Sequence, residues 1–274
     1  MKARKKVEAS EISRELLPEQ SPALLKELHL LTRDGDLNAD ARRKLKQVNH
    51  LCTLLKPALD DLFSRYESVQ MVDVGAGKAY LGFILYELYF KSQESGHILS
   101  IENRADLVEK GSAMAGKLSY NRMKFINSTI TDAPLPERVH LVTALHACDT
   151  ATDDALIAGI TAKADYIAVV PCCQAEVAQL LKAQKTPAWQ ELWRHGIHRR
   201  EFGSHITNVI RALVLESLGY QVSVTELVGW EHSLKNEFIL AKRVQNENKM
   251  ALGRLKELLT PLNIQPKLIT HFKL

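Results

Sequence analysis

Two stretches of this chain bring together residue types that can do chemistry. In the first, Asp73-Val74-Gly75-Ala76-Gly77 ends one apolar run and Glu102 ends the next. Glycines at a strand end let the backbone turn tightly and approach a ligand that any Cβ would strike. Asp73, two residues before the first glycine, would repel a pyrophosphate and suits a cofactor with a cationic amine and no phosphates. Glu102 can accept hydrogen bonds from both hydroxyls of a ribose. Asn127 and Ser128 end a third run, where they could meet the edge of an adenine ring or serve as plain turn residues.

In the second stretch, His146, Cys148 and Asp149 follow a fourth apolar run, and Cys172 and Cys173 follow a fifth. An imidazole titrates near neutral pH, so His146 is the first candidate for a general base and a further candidate to touch the cofactor. Asp149 is the alternative base, or could orient an acceptor. Cys148, Cys172 and Cys173, with Lys235 and Asn236 from a later connection, are the candidate lining of a substrate pocket. The cysteines also read as small, soft side chains that fill a tight strand end. Zinc is a third reading for His146, Cys148, Cys172 and Cys173, but adjacent cysteines cannot easily both reach one tetrahedral ion. No metal is expected.

These positions need strands to carry them. The apolar runs 69–74, 98–102, 124–127, 140–145 and 166–170 alternate with helical stretches, which calls for a parallel sheet wound on both sides. Ligands of such sheets lie beyond the carboxyl ends of the strands, where the candidate residues fall. Runs 220–228 and 237–242 have no helix between them and predict an antiparallel pair. A parallel core closed by such a pair is similar to a seven-stranded methyltransferase sheet rather than to a dinucleotide dehydrogenase. Tyr80 supports that exclusion, because the dinucleotide fingerprint wants Gly or Ala there. Lys78 has no Ser or Thr after it, so the loop is no P-loop. The expected organisation is a helical extension over 1–66, a catalytic domain over 67–244, and a short helix and tail over 245–274. Within the extension, Lys56-Pro57 is expected to end or kink a helix.

The loop Asp73–Gly77, the run His146–Leu156 (His-Ala-Cys-Asp-Thr-Ala-Thr-Asp-Asp-Ala-Leu) and the pair Cys172-Cys173 together resemble one methyltransferase family. It includes the eukaryotic tRNA acceptor-stem 2′-O-methyltransferase and the glutathione S-transferase C-terminal domain-containing protein. The resemblance covers roughly residues 40–243. It implies a Rossmann-like, class I α/β fold with S-adenosylmethionine as cofactor, and RNA (tRNA or rRNA) as a substrate to consider. Two departures bear on the substrate. The tRNA enzyme has Cys-Gly where this chain has Cys148-Asp149, and Cys-Cys-His-His where this chain reads Cys172-Cys173-Gln174-Ala175. Other acceptor signatures fail as well: no Asn/Asp-Pro-Pro-aromatic loop follows the fourth strand, and Pro171-Cys172 stands where a Lys-Asp-Lys-Glu enzyme has lysine. Protein and small-molecule acceptors, and a non-catalytic cofactor- or RNA-binding module, therefore stay open.

The net charge of +4 permits a polyanionic partner without requiring one. Arg42, Arg43, Lys44 and Lys46 form one basic face, and His195–Arg200, with His205 and Arg211, reads as a basic loop that could meet substrate. Both also read as solvated surface. Four cysteines make no disulfide framework in a chain of this size, and the basic start lacks a following apolar segment. A cytoplasmic protein with no membrane span is expected, of undetermined oligomeric state.

Overall fold

A computed structural model describes residues 16–32, 39–145, 147, 149–171, 174–183, 187–227 and 237–274. The chain divides into two compact units, Met1–Asn127 and Ser128–Leu274. Its strands form one seven-stranded sheet in the order β3-β2-β1-β4-β5-β7-β6, the mixed α/β sheet expected.

In the first unit, helices α1 (Pro22–Glu27) and α2 (Ala39–Arg65) precede β1 (Gln70–Val74), α3 (Tyr80–Leu85), β2 (His97–Glu102), α4 (Ala105–Lys117) and β3 (Met123–Asn127). The three strands are parallel, with Asp73 beside Ser100 and Glu102 beside Asn127. A π-helical turn, Tyr86–Phe90, continues α3. Of the end or kink expected at Lys56-Pro57, the end does not occur, because α2 runs through Pro57 to Arg65. Proline in a helix interior costs about 3 kcal/mol. Leu55, Leu59 and Leu62 on the same helix are fully buried, and each buried leucine is worth about 1.5–3 kcal/mol, so packing outweighs the lost bond.

A buried carboxylate ties the N-terminal segment to this unit. Glu87, in the π-helical turn, accepts from the Ser21 amide at 2.9 Å, the Ser21 hydroxyl at 2.5 Å and the Tyr120 hydroxyl at 3.3 Å. The Ser21 hydroxyl meanwhile caps α1 by accepting from the Leu24 amide. Burial, reinforced by the Glu87 charge, pushes the Tyr120 phenol well above its usual range.

The second unit holds β4 (Leu141–Ala144), α5 (Thr150–Thr161), β5 (Tyr166–Val169), α6 (Glu176–Lys182), α7 (Pro187–Arg194), α8 (Gly196–Ser217), β6 (Tyr220–Glu226), β7 (Glu237–Arg243), α9 (Lys249–Leu262) and α10 (Lys267–Phe272). Strands β4 and β5 are parallel and wholly buried, while β7 runs antiparallel to β5 and β6, as the missing helix predicted. The stretch expected as a loop over His195–Arg200 is helical from Gly196 onward. The tail also carries a helix that periodicity missed. Only six residues long, α10 is held by burial of Leu268 and Ile269. No described helix is long and apolar enough to cross a membrane.

Candidate active site

The glycine loop leaves β1 in a conformation that most side chains avoid. Gly75 and Gly77 have φ of 61° and 58°, the left-handed region where a Cβ is penalised. A Cβ on Gly77 would meet nothing closer than the Gly75 carbonyl at 4.0 Å, so the loop faces open space. The Ala76 amide donates to the Ile101 carbonyl at 3.1 Å, which fixes the loop against the end of β2. Glu102, only 6% exposed, closes the arrangement. One carboxylate oxygen accepts from the Gly77 amide at 2.8 Å, and the other accepts from the Arg104 amide at 3.0 Å and its Nε at 3.3 Å.

An S-adenosylmethionine nucleoside fits these residues. The loop is open above its glycines, and a carboxylate offers about four lone-pair directions. The exposed Arg104 side chain is the contact most easily exchanged for a ribose hydroxyl. Asn127 is exposed at the tip of β3, and its side-chain amide donates to the Glu102 carbonyl at 3.1 Å. Asp73 is 3% exposed. Its carboxylate points beneath α3, and an oxygen lies 3.6 Å from where a Cβ on Gly82 would stand. Ser128 is half-buried at the start of the second unit.

On the second unit, Asp149 has φ 51° and ψ −122°. A non-glycine residue in such a region stores about 1–3 kcal/mol unless its surroundings hold it there. Here they do. The Arg211 Nη2 donates to the Asp149 carbonyl at 2.9 Å, and the Thr152 amide donates to the same carbonyl at 3.2 Å. The Asp149 Oδ1 accepts from the amides of Ala175 and Glu176, at 2.8 and 3.2 Å. A residue expected as an alternative base thus has one carboxylate oxygen committed to the turn after β5.

Arg211 does not face a substrate, as the sequence allowed, because it is 1% exposed. Its guanidinium grips Asp153 through two bonds, Nε–Oδ1 at 2.7 Å and Nη2–Oδ2 at 3.1 Å, and Nη1 donates to Asn208 Oδ1 at 3.1 Å. Burial pushes the Asp153 carboxyl up, while the hydrogen bonds and charge of Arg211 pull it down. Nearby, Gln174 donates to Asn208 at 3.3 Å and accepts from the Ser204 hydroxyl at 2.7 Å. Asn208 in turn donates to Glu237, at the start of β7, at 2.9 Å. Helix α8 approaches this closely because of Gly203, where a Cβ would stand 2.8 Å from Ala178 on α6.

Sequence reasoning missed this network. Its signal was available: Ser204, Asn208 and Arg211 recur at helical spacing beside the apolar stripe of Ile210 and Val214. His146, Cys148, Cys172, Cys173, Lys235 and Asn236 lie outside the described residues. Among the described residues, no group of His, Cys, Asp or Glu side chains could hold a metal ion.

The seven-stranded sheet is that of the Rossmann-like, S-adenosylmethionine-dependent methyltransferases. Residues 43–180, half of the chain, match the family described as "Methyltransferase domain", and the chain belongs to that family. The fold is shared with a "putative O-methyltransferase" from Klebsiella pneumoniae at 13% identity and a TM-score of 0.51, over 86% of this chain and 96% of that one. Also similar is an S-adenosylmethionine-dependent methyltransferase from Aquifex aeolicus, at 17% identity and TM-score 0.41 over 87% and 100% of the two chains. A Streptococcus thermophilus rRNA methylase aligns at 8% identity and TM-score 0.43 over 65% and 89%. No curated protein matches the chain in sequence.

The buried pair gives a testable consequence. Arg211→Met strands Asp153 as an uncompensated buried carboxylate, so urea denaturation at pH 7 should show a loss of about 3–5 kcal/mol. Burial already holds the native carboxyl above its usual range, and without its partner it titrates higher still. The native state then takes up a proton that the unfolded state does not, and the deficit should shrink as pH falls from 7 toward 5. A deficit independent of pH would mean that the loss comes from packing alone.

Proposed function

We propose that this methyltransferase acts on RNA and that its glycine loop and Glu102 hold the cofactor. The observation that carries the cofactor assignment is the bond from the Gly77 amide to Glu102, which makes loop and acid one cradle. Gly75 and Gly77 admit the cofactor, Glu102 takes the ribose hydroxyls and Asn127, with Ser128 beyond it, meets the adenine edge. Asp73, the acid two residues before Gly75, is assigned to the cofactor's cationic amine. Bound there, S-adenosylmethionine supplies an electrophilic methyl group. An acceptor hydroxyl must give up a proton as it is methylated, and His146 is the residue we assign to receive it. Cys148, Cys172, Cys173, Lys235 and Asn236 would line the acceptor pocket.

Two observations favour RNA. The motifs His146–Leu156 and Cys172-Cys173 resemble those of the tRNA acceptor-stem 2′-O-methyltransferase. In addition, the turn between α7 and α8 exposes Arg194, His195, His198 and Arg200 within seven residues, and α2 exposes Arg43 and Lys46. Arg199 is excluded from this surface, because its Nη1 donates to the Trp193 carbonyl at 2.8 Å.

Calorimetry should show S-adenosylmethionine binding that Gly75→Val abolishes and Glu102→Ala weakens by about 1–3 kcal/mol, the usual loss for charge-assisted bonds. Tighter binding of NAD would overturn the cofactor assignment. His146→Ala should keep that binding and lower turnover by about 10²-fold.

With methyl-labelled cofactor and fractionated cell extract, label should enter RNA. Label in protein or small molecules instead would replace the acceptor. RNA affinity should fall steeply with salt, and charge-neutral variants at Arg43, Lys46 and Arg200 should flatten the slope without changing cofactor affinity. A salt-insensitive interaction would rule out phosphate contacts as its basis.

A further inference from the structure

The connections that leave β4 and β5 are joined through one side chain. Asp149, directly after the first, sends its carboxylate to the amides of Ala175 and Glu176, directly after the second. Its own backbone, at a positive φ, is fastened from behind by the buried guanidinium of Arg211. Arg211 is held in turn by Asp153 and Asn208, and Asn208 reaches Gln174 and Glu237. The far side of the second turn is braced as well, since Glu176 accepts from the Lys267 amide at 2.7 Å and Lys267 pairs with Asp154 at 2.6 Å.

We propose that Asp149 is a positioning residue, not a proton acceptor, and that it sets the spacing of the two turns that present the acceptor pocket. This rests on the reading above that the acceptor meets the carboxyl ends of β4 and β5. The chemistry of the contact supports it. Oδ1, which accepts two amide hydrogens, is poorly disposed to accept a third from substrate, and both bonds fix the orientation of the carboxylate. What the bridge requires is an acceptor atom at Oδ1, not a negative charge. An asparagine supplies that atom without being able to take a proton, whereas an alanine supplies nothing.

The test is therefore a pair of substitutions with two readouts. Asp149→Ala should raise hydrogen exchange at the Ala175 and Glu176 amides at least tenfold. It should also lower kcat for label transfer to the RNA fraction at least tenfold, with the affinity for S-adenosylmethionine unchanged. Asp149→Asn should restore amide protection and recover most of the lost kcat, with the wild-type pH profile. Two outcomes overturn the proposal. Unaltered exchange in Asp149→Ala would show that the bridge does not hold the turns. An Asp149→Asn protein with protected amides but the turnover of Asp149→Ala would make Asp149 the base. Amide exchange decides the bridge without any acceptor, so absence of label in RNA would sink the RNA reading and leave this result standing. Loss of S-adenosylmethionine binding in both variants would place Asp149 in the cofactor site instead.

Discussion

A guanidinium taken out of water must replace the hydrogen bonds it gives up, and Arg211 makes four, to three partners drawn from three segments. Asp153 lies on α5, Asn208 on α8 itself, and the Asp149 carbonyl in the turn after β4. The pair need not add net stability, since buried ion pairs often only break even against apolar replacements. Its effect is to make one arrangement far cheaper than its neighbours. Any shift of the turn or of α8 leaves a charge without a partner, and that penalty is what gives the second unit a single geometry around its strand ends.

The first unit reaches the same end with less charge. Its glycine loop has no side chains with which to brace itself, so the carboxylate at the tip of β2 braces it. Glu102 serves the fold itself, because its two oxygens are engaged by the Gly77 amide and by the amide and Nε of Arg104. Its loss would be felt in the empty protein.

Much of this was legible from the residues alone. Strands β4 and β5 were recognisable because wholly buried strands read as apolar runs, and the reversed final pair because two strands without a helix between them cannot be a crossover. The tight turn at Gly75 and Gly77 was legible because a positive φ favours glycine, and the structure adds that Glu102 meets it. What escaped were features set by neighbours distant in sequence. Arg211 read as a surface cation because nothing local reveals that Asp153, fifty-eight residues earlier, will bury with it. Pro57 read as a break because the leucines that carry α2 through it act by tertiary packing. The bonds from Asp149 to the amides of Ala175 and Glu176 escaped because those partners lie beyond the next strand.

The reversed strand β7 has an evolutionary corollary. Glu237 begins it beside the carboxyl end of β5, and Glu226, directly across from Glu237, ends β6 at that same edge. The chain therefore leaves and re-enters the sheet at one point on the ligand side. Closing a loop between fixed, adjacent ends costs only about 0.6 kcal/mol more for each doubling of its length. Segments of very different length and composition could be exchanged at this doorway while every strand register stays as it is.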